Sequence, residues 1–213
     1  MSNLEFINID SQSPGRVKLA RPEDKQVTSS SISLTEFAED WNCELVDPKY
    51  PSLHTAATVD PFTSNVNWVD REKEMFKLMH DNFGIGLAAP QVGSSYNMFV
   101  MNHEYLGDIG IYKPTILETE GEVGWEEGCL TFPMLYLPVK RPERVKVQYY
   151  KNDGVTQVET WLDGRDARCF LHEYDHLQGI LFLDLVSDLK LERALKKREK
   201  FFKKLETQSK RYA

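Results

Sequence analysis

The chain has 213 residues, 41% of them hydrophobic, and a formal net charge of −7 with a sequence pI of about 5.3. That is enough for one cored domain with an extension, and the acidic balance argues against nucleic-acid binding by the chain as a whole. Three cysteines, Cys43, Cys129 and Cys169, form no even or tightly spaced set, which argues against a disulfide framework. No apolar run reaches the ~18 residues of a membrane span, and no basic segment precedes an apolar one at the N-terminus. The expectation is a cytoplasmic protein with no membrane partner.

Residues 1–44 show weak periodicity and several turn formers, among them Ser13-Pro14-Gly15 and Arg21-Pro22. They read as an N-terminal extension, with a short helix conceivable from Ser33 to Trp41. Val46–Phe62 reads as extended loop. The first confident helix opens at Asn67, a suitable cap with Asp70 three residues on. Val69, Phe76, Met79 and Phe83 keep helical spacing, and the pattern stops at Gly84.

Gly84-Ile85-Gly86-Leu87-Ala88-Ala89-Pro90-Gln91-Val92-Gly93 is dominated by small residues, so backbone can come close to something. A dinucleotide loop is rejected: no strand precedes it, no helix follows it, and Pro90 interrupts it. It reads as a tight turn under a sheet or as a cleft-lining loop with the Gln91 amide pointing in.

Strand patterns follow at Asn97–Met101, Ile109–Tyr112, Thr115–Thr119, Arg144–Tyr150 and Val155–Leu162. Lys151-Asn152-Asp153-Gly154 marks a hairpin. Strands joined without helices predict a mixed, mainly antiparallel sheet. A second, mostly buried helix should run from Asp163 to Gly179, followed by a short strand at Ile180–Leu183. A last helix starts near Asp188, with Leu191, Leu195, Phe202 and Leu205 on one stripe. From Lys190 to Ala213 there are ten Lys or Arg against three Glu, a local balance of +7. The fold class expected is α+β: mainly antiparallel sheets around a central helix, with a C-terminal helix. The divisions are 1–44, a catalytic domain over 45–188, and a basic helix over 189–213.

The second helix carries Leu171-His172-Glu173-Tyr174-Asp175-His176-Leu177-Gln178-Gly179. Histidines four apart share one helix face, and a glutamate beside the first can reach what they hold. This is the H-E-x-x-H arrangement of a metal hydrolase: two nitrogen ligands and a general base. A helix that merely carries two histidines is the bland alternative. Hydrolytic metal sites usually take a third protein ligand and leave one position open. Cys129, after Gly128, is the strongest candidate, against the usual fate of a free cysteine as a small buried hydrophobe. Cys169 competes but lies on the same helix as the histidines, beside the site.

Three stretches together, Gly84–Gln91 (G-I-G-L-A-A-P-Q), Glu127–Thr131 (E-G-C-L-T) and His172–Gly179, closely resemble peptide deformylases, in that family's order. The resemblance covers roughly Leu45 to the C-terminus. It implies that Cys129, His172 and His176 hold one divalent metal, ferrous iron first, with zinc or nickel also accepted. It implies a metal-bound water as nucleophile, Glu173 as general acid and base, and an oxyanion hole from the Gln91 side chain and the Leu130 N–H. The substrate implied is the N-formylmethionine of nascent polypeptides, and the products are formate and a free amine. Ile85, Gly86, Trp125, Glu127 and Cys169 are the implied substrate-binding residues, with the Gly86 backbone pairing an extended peptide.

Three departures stand out: Leu171 where the family usually has Gln, Thr131 for Ser, and Lys113-Pro114 for Asn-Pro. Leu171 puts one supporting hydrogen bond in question. A pair between Glu127 and Arg141 is expected to hold the cysteine loop. The basic last helix resembles the family's ribosome-docking helix, and the charge suits RNA phosphates. The alternatives are a zinc endopeptidase, which leaves Cys129 and the glycine-rich loop unexplained, and a non-catalytic relative, which would need a broken site. A bacterium, a plastid or a bacterial virus would each be a fitting source.

Overall fold

The structure, a computed structural model, describes residues 43–212, with side chains to 210. The expected extension, apart from its last two residues, and the short helix near Ser33 lie outside the described residues. Helix α1 (Trp68–Asp81) starts where Asn67 predicts, its side chain accepting from Asp70 N at 3.4 Å. It ends one residue earlier than the glycine suggests. Phe83 takes a left-handed φ of 59°. Its N–H reaches His80 O at 2.9 Å and Gly84 N–H reaches Met79 O at 2.8 Å. These two bonds form the helix closure that glycine usually makes. Gly84 serves a different need, since a Cβ there would stand 2.7 Å from the Leu130 side chain.

The main sheet joins β1 (Gly86–Ala88), β2 (Met98–His103), β3 (Gly107–Glu120), β6 (Arg144–Tyr150) and β7 (Gln157–Asp163) in the order β1-β2-β3-β6-β7. Every pair in it is antiparallel. The two strands expected around Lys113-Pro114 are one strand, β3, whose register shifts between Tyr112 and Thr115 where Lys113 has φ 48°. β4 (Val123–Cys129) and β5 (Phe132–Arg141) form a separate antiparallel hairpin. The sequence reading did not separate these two strands. Pro133 and Pro138 obscure the alternation of Leu135, Leu137 and Val139. Both are tolerated because β5 pairs on one side only. The short strand expected at Ile180–Leu183 is instead a 3-10 turn over Phe182–Leu185. There Asp184 accepts from Leu181 N at 2.9 Å, a local bond that competes with extended pairing.

β2 is buried on both faces, as its two-residue alternation allows. Phe99 and Met101 pack with Phe170, Leu171 and Leu177 of α2 (Gly164–Leu177). Met98 and Val100 pack with Trp68, Met75 and Met79 of α1. A third cluster joins Leu135, Leu137 and Val139 to Phe182 and to Leu191, Ala194 and Leu195 of α3 (Asp188–Tyr212). Helix α2 thus lays its apolar face on the sheet and leaves its histidine face for the β4–β5 hairpin. Among the described residues no helix is long and apolar enough to cross a membrane.

Candidate metal centre and substrate cleft

Cys129 ends β4, where the two-residue turn Leu130–Thr131 reverses the chain into β5. Its Sγ lies 3.3 Å from His176 Nε2. One donor atom from each of Cys129, His172 and His176 falls within 4.8 Å of the others. All three side chains are at least nine-tenths buried. One thiolate and two imidazoles brought together from two elements fit a divalent ion of intermediate softness. The electrostatics agree with that fit. Burial alone would lower the pKa of His172, but hydrogen bonds to Cys129 and Glu127 outweigh it and hold the ring protonated up to about 10. Surrounding anionic groups therefore favour a cation at this point, and a metal can take the proton's place. His176, which burial and the nearby His172 and Arg141 charges keep neutral, is in the ligating form.

Glu127 stands behind the histidines. It accepts from Arg141 Nε at 2.6 Å and Nη2 at 3.0 Å, from Arg168 Nη1 at 2.6 Å, and from His172 Nδ1 at 3.1 Å. The Nδ1 bond leaves His172 Nε2 for the metal side. Arg141 also reaches Asp175 at 2.6 Å, and Arg168 reaches the carbonyls of Val139 and Val123 at 2.9 and 2.7 Å. The expected Glu127–Arg141 pair is present, inside a larger network. Burial alone would raise the Glu127 carboxyl pKa; hydrogen bonds from His172 and Arg141 bring it down to about 2. Because both its oxygens are committed, Glu127 holds the site and offers substrate no free oxygen. Arg168 and Asp175 went unnoticed in the sequence, although Arg168, His172 and Asp175 share one helix face at i, i+4 and i+7. Leu171 packs in the core beneath the sheet, and its carbonyl accepts from Arg141 at 3.4 Å. The orientation of His172 comes from Glu127, so position 171 need not supply it.

Glu173 is 4% exposed, and its Oε2 has no hydrogen-bond partner in the structure. Burial pushes its carboxyl up to about 7. Gln91, in the 3-10 turn Ala89–Val92, is fixed by Ala88 N–H donating to its Oε1 at 2.8 Å. Its Nε2 donates to Cys129 Sγ at 3.4 Å and to Thr131 Oγ1 at 3.2 Å. The hydroxyl retained at position 131 therefore has a partner. Gly86 lies so close to α2 that a Cβ would overlap the Glu173 carboxylate and stand 2.8 Å from Cys169 Sγ. The Cys169 thiol donates to Ile85 O at 3.2 Å, and burial pushes its pKa well up.

These groups face a cleft of about 590 Å³ whose walls include Ile85, Gly86, Gln91, Trp125, Cys129, Leu130, Cys169, His172 and Glu173. Ile85 and Trp125 are part-exposed at its mouth, and the Arg168 guanidinium stacks 5.4 Å from the Trp125 ring. The proposed ligands, base, oxyanion donors and substrate-binding residues named from the sequence line this cleft, except His176, which adjoins it through Cys129. Cys169 lines the same cleft and is not part of the converged donor set.

The sequence profile of the polypeptide deformylase family matches residues 44–192. Peptide deformylase of Hydrogenovibrio crunogenus is 43% identical over 129 residues, which cover 60% of this chain and 76% of that protein. The chloroplastic peptide deformylase 1B of Solanum lycopersicum is 35% identical over 202 residues, 88% of this chain and 70% of that protein. A crystal structure of a peptide deformylase from Legionella pneumophila superposes with a TM-score of 0.67 at 35% identity, covering 77% of this chain and 96% of that one. With the Cys-His-His centre, the buried glutamate and the glutamine joined in one cleft, the chain belongs to the peptide deformylase family.

Proposed function

We propose that the chain removes the N-formyl group from the N-formylmethionine of nascent polypeptides, releasing formate. The observation that carries this reading is a buried glutamate with one free oxygen beside a converged Cys-His-His donor set. When bound there, a divalent ion supplies Lewis acidity and lowers the pKa of a water near it. Glu173, its carboxyl raised to about 7, takes the proton of the attacking water and returns one to the leaving amine. Gln91 Nε2 turns from the sulfur and Thr131 to donate, with the Leu130 N–H, to the oxygen on which charge develops. The Gly86 backbone pairs with the peptide, and Ile85, Trp125 and Cys169 wall the methionine side chain. Glu127 fixes His172 rather than touching substrate.

Ferrous iron is the native metal in this reading, because the mixed thiolate and imidazole set suits it. Zinc and nickel satisfy the same donors. The catalytic unit spans 45–188, with 189–213 a basic helix that docks on the ribosome, where formylated chains emerge. The working compartment is the cytoplasm of a bacterium or of a bacterial virus's host, or the plastid interior.

The test is formate release from a formyl-Met-Ala-Ser peptide by iron- or nickel-loaded protein, beside Glu173→Ala. The intact protein should turn the peptide over, and the variant should lose roughly 10²–10⁴-fold in kcat while keeping its metal. No formate from metal-loaded wild type would overturn the reading. Activity lost in air with iron and retained with nickel supports iron as the native ion.

A further inference from the structure

We infer that Phe83 and Met134 form an apolar clamp that makes the enzyme prefer a large apolar side chain at the third residue of the formylated peptide. The inference rests on the reading of this cleft as a formyl-peptide site. Among the described residues three non-glycines have positive φ, namely Phe83 at 59°, Lys113 at 48° and Met134 at 63°. Two of the three stand on the cleft wall. The left-handed turn at Phe83 is the closure of α1, and it carries that side chain onto the cleft wall. No packing within the fold covers the Phe83 side chain, which is 97% exposed.

The two residues come from separate parts of the fold. Phe83 closes α1 just ahead of β1. Met134 lies in a bulge of β5, where the register moves from Gly128↔Tyr136 to Cys129↔Phe132 and so leaves three residues of β5 unpaired. Met134 is 43% exposed, and as a flexible thioether it can adapt to varied apolar partners.

The position of the third residue follows from the backbone. β1 is an edge strand. The Ile85 carbonyl accepts from Asn102 N at 2.9 Å and so faces β2. Strand alternation then turns the groups of Gly86, and the carbonyl of Gly84, toward the open edge. Gly86 also borders Glu173, so the reacting end of a peptide lies there. A chain paired antiparallel from that point advances ~3.4 Å per residue. Its first residue stands level with Gly86 and its third with Gly84, next to Phe83.

The test compares kcat/KM of metal-loaded protein on formyl-Met-Ala-Phe, formyl-Met-Ala-Leu and formyl-Met-Ala-Ser. Wild type should favour Phe and Leu over Ser by ~10-fold, expressed mainly in KM, the scale of one well-placed apolar contact. In Phe83→Gly the ratio should fall to within ~2-fold of unity, and Phe83→Leu should restore much of it. Glycine is at ease at that φ, so the glycine variant should melt no lower than wild type. Equal turnover of all three peptides by wild type, or a preference that survives Phe83→Gly, overturns the clamp while leaving the deformylase reading intact. Absence of formate from all three peptides overturns the deformylase reading instead, and the clamp with it.

Discussion

Both oxygens of Glu127 are committed, one to Arg141 and Arg168 and the other to Arg141 and His172. Its folded-state pKa, about 2, lies below the ordinary 4.5. A depressed carboxylate pKa adds stability that is complete above the unfolded value and is lost as pH falls through the folded one. The metal-free protein should therefore lose about 3 kcal/mol of stability between pH ~4.5 and ~2 from this residue. Urea unfolding at pH 6 and pH 3 should show roughly 2 kcal/mol of that loss, and Glu127→Gln should flatten the difference. Arg141→Ala would leave a buried carboxylate short of a partner, so metal content and turnover should both fall. The family resemblance implied a substrate contact for Glu127, while a linear order does not show which cations reach its carboxylate. The Arg141 partner was foreseeable. Arg168 becomes visible only once the helix face is fixed.

At the scale of elements, β1 and α2 meet so closely that Gly86 has no room for a Cβ beside Glu173. Gly86→Ala should displace the Glu173 carboxylate and lower kcat by ~100-fold, as small misplacements of reacting groups do. Metal content, set by Cys129 and the two histidines, should hold. Formate release and metal analysis on the same sample separate the two effects. The sequence reading took Gly86 as a backbone partner for peptide, and the packing adds a steric reason for glycine at that position. Element boundaries were legible where caps and periods agree, as at Asn67 and at Arg144–Tyr150. They were not where a proline or a local side-chain bond intervened, as in β5 and at Asp184.

For the molecule as a whole, α3 is half docked. Leu191, Ala194 and Leu195 join the cluster of the β4–β5 hairpin, and Arg198 donates to Pro133 O at 2.8 Å. After Phe202 the helix through residue 210 is exposed, Leu205 included, so the predicted stripe is part-buried only as far as Phe202. A chain ending after Phe202 should keep its stability within ~0.5 kcal/mol. One ending at Ser187 should lose roughly 2–4 kcal/mol through the uncovered apolar surface. The longer truncated chain still lacks Lys203, Lys204, Lys210 and Arg211. If the exposed half docks on ribosomal RNA, co-sedimentation with ribosomes should weaken in that chain and should weaken with added salt in the intact one. Salt-independent binding, or none by the intact chain, would remove the ribosome from this reading.

The sequence by itself determined the chemistry: two histidines one helical turn apart, a glutamate beside them, a cysteine and a glutamine in short stretches whose order is that of a known family. Those assignments rest on residue type and local spacing, which a linear chain records. It also determined the α+β class, because helix and strand periods differ and turn residues mark their ends. Only the tertiary structure decided how the centre is held. Glu127, Arg141, Arg168 and Asp175 meet across β4, β5 and α2 through contacts up to 41 positions apart, that of Glu127 with Arg168. Only packing could show that Leu171 is core and that Phe83 is exposed at the cleft. Both facts depend on what lies opposite each residue in space, which no local pattern encodes.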